Sequence, residues 1–341
     1  MAAVTDSIGT TGRDFADITA WEASFGDHAG DDLTGEVFND SVFDENVTFN
    51  DNTPDSIKLT VPLAERHDGT AGTGSRIVNT VGGNSLFFSS LTTPVTCEWM
   101  EVDKNNNFGR AIHSSGTATT IMTFNNNICH DAFLDSGSAT QAGLQLSSYR
   151  NIAHNNIIYN IVTETSSSSV SIGMGGSTTR AVDVQNNTVF RIRNDNGSGS
   201  ALGLRMSDSA SQNYRNNIVL DVTGTTSGAT DCYDITSFTN ATVDHNMSSD
   251  TTAVGTGSLV SQTAADQFIS TVDGSEDLHL KSGADAIDAG LDLGTTPTGV
   301  NFDINNRDRD AEGDIWDMGA HEFVAAVVDG GGGAKIILGI L

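Results

Sequence analysis

Asn126–Cys129 reads NNIC, Asn155–Ile158 NNII, Asn186–Val189 NNTV and Asn216–Val219 NNIV, with a weaker copy, HNMS, at His245–Ser248. The second Asn of each phrase falls at Asn127, Asn156, Asn187, Asn217 and Asn246, in steps of 29, 31, 30 and 29 residues. A fixed period of this size marks a repeat architecture. Between the phrases lie short apolar segments such as GLQL (Gly143–Leu146), VSIGM (Val170–Met174), AVDV (Ala181–Val184) and ALGLRM (Ala201–Met206), separated by Gly, Ser, Thr and Asn. Each period therefore holds three short strands with turns between them. A propeller blade needs about 40 residues and four strands. Three strands in one period of this length make one coil of an all-β, right-handed parallel β-helix solenoid.

The Asn row has a structural reason. Asn tolerates the left-handed backbone conformation of a tight corner, and stacked amides hydrogen-bond from coil to coil. The Ile or Val after the pair is expected to point into the core. With coils about 4.8 Å apart, roughly nine coils over residues 35–300 make a rod about 40 Å long. Residues 1–34 are then an N-terminal arm and cap, 301–329 a closing segment, and 330–341 a Gly hinge with an apolar tail. The stretch RDFADITAWEASF (Arg13–Phe25) is amphipathic, and Phe15, Ile18, Trp21, Ala23 and Phe25 suit a helical cap over the first coil.

Composition bounds the partners. The chain has 16 Lys and Arg against 44 Asp and Glu, a formal charge of −28. Such a surface repels nucleic acid and anionic lipid and favours solubility, cations and basic partners. The three cysteines, Cys97, Cys129 and Cys232, show no paired spacing and are expected to be buried thiols. No apolar run reaches the length of a membrane span. The opening MAAVTDSIGTTGRDF has no basic stretch followed by an apolar one, so no cleaved secretory signal is expected.

The C-terminal region reads DLHLKSGADAIDAG (Asp277–Gly290), DINNRDR (Asp303–Arg309) and DIWDMGAHEF (Asp314–Phe323). This resembles the terminal segment of many right-handed parallel β-helix proteins of the pectate-lyase-like fold, with D-x-H-L, S-P-A-I-D-x-G, D-G-x-x-R and D-I-G-A-x-E in order. Here Ala284-Asp285 replaces the Ser-Pro, and Asn305-Asn306 stands where the Asp-Gly turn would be. The phrase GRDFADITAWEA (Gly12–Ala23) resembles the opening of uncharacterised β-helix proteins of marine phages and environmental bacteria. The resemblance implies the architecture. It does not single out an activity, because lyases, hydrolases, adhesins and viral fibres share the fold.

Catalytic signatures are sparse. Asp131, Asp135, Asp183, Asp195, Asp208 and Asp221, and Arg150, Arg180, Arg191, Arg193, Arg205 and Arg215, do not read as one position of the repeat. Arg191-Ile192-Arg193 is the one echo of a polygalacturonase-like hydrolase. His113, His130, His154 and His245 lack metal-ligand spacing and are expected at surfaces or turns. No catalytic residue is assigned and no cofactor is required. Asp303, Asp308, Asp310 and Asp314 form an acidic loop that is a weak Ca²⁺ candidate without the spacing of an EF-hand.

The expectation that follows is a virion structural protein of a tailed phage: a fibre, spike or capsid-decorating rod assembled in the host cytoplasm. In that reading it forms a homotrimer, contacts other virion proteins and a cell-surface glycan, and docks through Ile336, Ile337, Leu338, Ile340 and Leu341 beyond the Gly330–Gly333 hinge. The alternatives are a polysaccharide lyase or glycoside hydrolase, and a bacterial surface adhesin.

Overall fold

In the computed structural model, described over residues 2–116, 120–165, 169–177, 181–195, 198–207, 212–225, 228–235, 241–311 and 315–325, the repeat closes into a parallel β-helix of about eight turns. The assembly tail assigned to Ile336–Leu341, Asp208, Arg180 and Asp314 lie outside the described residues. One coil shows the pattern. Arg150–His154 belongs to the first sheet, the Asn pair turns the corner, Ile157–Thr163 belongs to the second, and Val170–Ser177 to the third. Each strand pairs in parallel with its equivalent one coil on, as in Ile158↔Val189 and Ala153↔Val184. The three sheets hold nine, eight and seven strands. No helix among the described residues is long and apolar enough to cross a membrane.

The two Asn of each phrase divide the work. Asn126, Asn155, Asn186 and Asn216 have φ between 53° and 57°, so the first Asn supplies the left-handed corner. His245 holds that position in the weaker copy, with φ of 50°. The second Asn is the ladder. Asn187 Oδ1 accepts from the N–H and the side-chain amide of Asn156 (3.0 and 2.9 Å), and its own amide donates to Asn217 Oδ1 (3.0 Å). The same pair of bonds joins Asn127 to Asn156 and Asn217 to Asn246. All five ladder residues are buried.

The residue after the pair points outward, contrary to expectation. Cys129, Ile158, Val189 and Val219, one place further on, fill the interior with Met174, Leu204, Val182 and Tyr214. Ile128, Ile157 and Ile218 lie on the opposite face of the second sheet, yet they too are fully buried, in a second apolar cluster. Strand alternation requires this: consecutive residues face opposite sides, so an Ile-Ile or Ile-Val doublet describes a strand covered on both faces. Gly143, Gly173 and Gly203 in the third sheet complement the inner row. A Cβ at each would overlap Ile158, Val189 or Val219 across the barrel.

What covers the outer face is the C-terminal region. The last rung, Met247–Ser248, is followed by residues that close the final coil. The chain then doubles back as a strap along the second sheet, from the short helix Ala264–Gln267 through the hairpin Phe268–Val272/Ser275–Leu280 to Phe323. The regular parallel strands thus end at Ser248, with one further parallel bridge, Met247↔Leu259, instead of continuing to residue 300. The corner Asn side chains hold the strap: the amides of Asn126, Asn186 and Asn216 donate to the carbonyls of Asp303 (2.9 Å), Val300 (3.1 Å) and Leu291 (2.8 Å), and Asn155 to that of Phe302. Leu278, Leu280, Ala286, Ile304, Met318 and Ala320 cover the isoleucines. Each isoleucine so buried contributes about 2 kcal/mol.

The C-terminal motifs are the strap's internal fasteners. Arg309 is fully buried, pairs with Glu322 (2.7 Å) and donates to Gly319 O (2.9 Å) and Asn155 Oδ1 (3.3 Å). Burial and the presence of two acids beside one cation raise both Asp317 and Glu322 above the usual carboxylate range. At the other end Ala3–Ile8 is already a rung, paired with Asp32–Val37. The arm therefore contributes the first coil before the cap begins. The helix is short, Ile18–Glu22, capped by Asp17 (2.7 Å to Ala20 N–H); it lays Trp21 over Phe49, and the 3-10 turn that follows adds Phe25.

Candidate functional site

Counting four residues on from the ladder Asn in each coil gives Asp131, Asn160, Arg191 and Asp221. All four have left-handed backbone, with φ of 56°, 55°, 54° and 58°. Strand pairing steps over them: Tyr159 pairs with Phe190 and Ile161 with Ile192, leaving Asn160 and Arg191 outside the ladder. One left-handed residue at the same place in each strand breaks the alternation without shifting the register, and turns its side chain out of the regular pleat. The acids and arginines that seemed scattered in sequence therefore include one aligned column. The count from the Asn pair was the available signal. Left-handed backbone costs a non-glycine residue roughly 1–2 kcal/mol, and Arg191 lacks the short polar side chain that eases it for Asn and Asp.

The column is joined by hydrogen bonds. Asn160 donates to Asp131 (2.9 Å) and to Glu276 of the strap hairpin (3.0 Å). Arg191 donates to Asn160 Oδ1 (2.8 Å), Asp273 (3.0 Å), Glu276 and the carbonyl of Thr271. Asp221 accepts from Arg193 (3.1 Å) and lies 3.7 Å from Arg191. One residue earlier in each coil stand His130, Tyr159, Phe190 and Leu220. His130 stacks on Tyr159 with ring centroids 4.9 Å apart.

His130 is buried among carboxylates, not exposed. Its Nδ1 meets Asp131 (2.9 Å) and its Nε2 meets Glu101 (3.4 Å), with Asp103 at 3.9 Å. Burial opposes its charge, but the hydrogen bonds to Asp131 and Glu101 and the surrounding acids prevail and push it up to about 10. Burial raises Asp131 less than His130 and its other partners lower it, so it stays below its ordinary value. Asp103, His130 and Asp131 bring ligand atoms within 4.8 Å of one another. A cation at this set would have to displace the imidazole proton that the carboxylates hold in place.

A cleft of about 350 Å³ opens beside this column, lined by Asp131, Asn160, Arg191, Arg193, Asp273 and, from the preceding coil, Asn106. Phe133 and Val162 supply apolar lining. Opposite stands a second column, eight residues on from the ladder Asn: Glu164 and Asp195 line this cleft, and Asp135 lines an adjoining one of about 400 Å³ that continues past Phe108. The backbone fixes these acids coil by coil, with Glu164 N–H donating to Leu134 O (2.8 Å) and Asp195 N–H to Thr163 O (2.9 Å).

The other sequence candidates are placed elsewhere. Among the described acids of the Ca²⁺ loop, buried Asp303 accepts the N–H groups of Asn305, Arg307 and Glu322 (2.8, 2.7 and 3.0 Å), and Asp310 accepts the Trp316 indole (3.0 Å). Asp308 accepts the Asp310 N–H (3.2 Å). Among the described residues, these three carboxylates shape a strap turn. His154 is buried beneath the strap, and burial holds it down to about 4. His113 stacks on Phe87 on the third sheet. Cys97, Cys129 and Cys232 are buried free thiols.

No family model matches the chain, and no curated protein matches it. Among solved structures, one titled "Crystal structure of pectate lyase Pel9A" is similar over 94% of this chain and 97% of that one, at 11% identity and a TM-score of 0.28.

Proposed function

We propose that the chain is a rigid attachment rod that binds a glycan along the cleft beside its second sheet. One observation carries this reading: apolar side chains, Phe133 and Val162, lie between two polar columns that repeat once per coil. A sugar polymer offers apolar ring faces and hydroxyl edges at a regular interval, and such a ligand matches a surface built in rungs about 4.8 Å apart. Asp131 is paired with His130, and Arg193 with Asp221. Asp135, Glu164 and Asp195 face no cation within ion-pair distance among the described residues. Their charge favours neutral or amino sugars over uronic acids.

Titration calorimetry of the full chain with a glucosamine hexasaccharide, cellohexaose and a hexagalacturonate tests the reading. Binding of either of the first two, weakened at least tenfold by Phe133→Ala, is expected. Silence across the panel defeats it. The tailed-phage virion, with a homotrimeric rod on the particle, is the setting the sequence favours for such attachment, and a cell-surface adhesin is the alternative. Mass spectrometry of purified particles separates the two.

Hydrolysis of the bound glycan is a second reading, favoured by Glu164 and Asp195 standing on neighbouring rungs. That separation, about 4.8 Å between backbones, is close to the roughly 5–5.5 Å between the carboxyls of retaining glycosidases. New reducing ends from the same hexasaccharides, lost in Glu164→Gln, would establish it.

A further inference from the structure

The cleft has walls from two different parts of the chain. Asp131, Asn160, Arg191 and Arg193 come from the coils, whereas Asp273 comes from the turn of the strap hairpin. The base of that hairpin is held by apolar contact, Phe268, Leu278 and Leu280 lying in one cluster with Tyr159, Phe190 and Leu220. Its tip is different. Val272, Asp273, Gly274 and Ser275 are exposed, and the Asp273 side chain is 86% exposed. Arg191 reaches three tip residues at once, Thr271 O, Asp273 and Glu276, while Asn160 adds one bond to Glu276. The Arg191 side chain is itself only 9% exposed, and Glu276 only 4%.

We propose that Arg191 is a positioning residue that docks the hairpin tip as a movable wall of the cleft, so that tip docking and ligand binding are coupled. The proposal rests on the glycan reading of the cleft for its ligand, but its mechanical half does not. Arg191 keeps an unfavourable left-handed backbone where its planar, forked cation meets a carbonyl and two carboxylates. A ligand lying against both Arg191 and Asp273 binds the docked tip better than the free one. Linkage then requires that docking raise the affinity and that ligand shift the tip's docking equilibrium toward the docked state by the same factor.

Amide hydrogen exchange of residues 270–276 in the full chain tests this. Arg191→Ala leaves Glu276 covered and without its cation, so tip exchange should quicken about 100-fold, while Leu278–Leu280 at the base keep their protection. Glu276→Gln, the same contact broken from the other side, should reproduce the effect, and Arg191→Lys should restore part of it. Unchanged tip exchange in both Arg191→Ala and Glu276→Gln overturns the clasp. The hexasaccharide that binds the wild type should slow tip exchange there and lose at least tenfold affinity in Arg191→Ala. Binding that leaves tip exchange unaltered overturns the coupling. If no panel sugar binds, the glycan reading and the coupling fall together, while the unliganded comparison still decides the clasp.

Discussion

Replacing Asn187 by Ala tests whether the ladder is the strongest internal brace of the rod. Asn187 is fully buried at the middle of five stacked amides. Its Oδ1 accepts the N–H and side-chain amide of Asn156, and its Nδ2 donates to Ala153 O (3.0 Å), Gln185 O (2.9 Å) and Asn217 Oδ1 (3.0 Å). Truncation removes five hydrogen bonds and leaves the Asn156 N–H without an acceptor in a water-free interior. At about 1 kcal/mol net for each of four bonds, plus about 1–3 for the stranded donor, the loss is about 5–7 kcal/mol before relaxation. Asn186→Ala next door is the control. It loses one bond to Val300 O and the left-handed tolerance of Asn, which together amount to about 2–3 kcal/mol. Urea unfolding followed by far-ultraviolet dichroism, with exchange protection of Ile158 and Val219 as a local readout, gives both values. The reasoning fails if Asn187→Ala is tolerated as well as Asn186→Ala, or if protection is lost beneath the strap and kept in the coils.

Three further outcomes follow from the same geometry. Gly173→Ala forces a methyl into Val189 and the carbonyl of Gly203, and calorimetry should show a loss of about 1–3 kcal/mol. Arg309→Ala strands Asp317 and Glu322 beneath the strap; a loss of about 3–5 kcal/mol and early protease cleavage within residues 281–311 are expected, and an intact strap would contradict the fastener role. His130, raised from 6.5 to about 10, contributes stability that is fully present below the unfolded value and disappears as pH rises through the folded one. Lys104, held down to about 7 by burial, acts with opposite sign over an overlapping range. The stability gap between wild type and His130→Gln should therefore be widest below about pH 6.5 and close toward pH 10, and a gap that does not vary with pH would refute the buried imidazolium.

The repeat was legible because a single geometric need, an amide ladder, recurs once per coil and leaves Asn at nearly fixed spacing. The doublets Ile157-Ile158 and Ile218-Val219 also announced a strand covered on both faces. Interpreting that signal requires the strap, because an isolated solenoid has only one buried face. The strap was harder to foresee. Its motifs were visible, but Arg309 finds Asn155 across 154 residues and Asn126 finds Asp303 across 177, and no local pattern encodes such pairings. The left-handed column is hidden in the sequence for a different reason. Asp131, Asn160, Arg191 and Asp221 share a backbone conformation and not a chemical type, so a search by side-chain class cannot align them. His130 looked like a turn residue because its partners, Glu101 and Asp103, belong to the preceding coil.

A solenoid is indefinitely extensible in principle, since each coil asks only for another like it. Here the strap removes that freedom. It grips the corners at Asn126, Asn155, Asn186 and Asn216 with carbonyls at fixed places along its own length. Insertion of one coil between Asn155 and Asn186 would shift the far grips by a whole rung, about 4.8 Å, beyond the reach of a hydrogen bond. The strap is thus a ruler laid along the rod, reaching back to Asp68 O through His279 (2.9 Å): coils within its span can be added or removed only together with a matching change in the strap, whereas coils before that contact are free to vary in number.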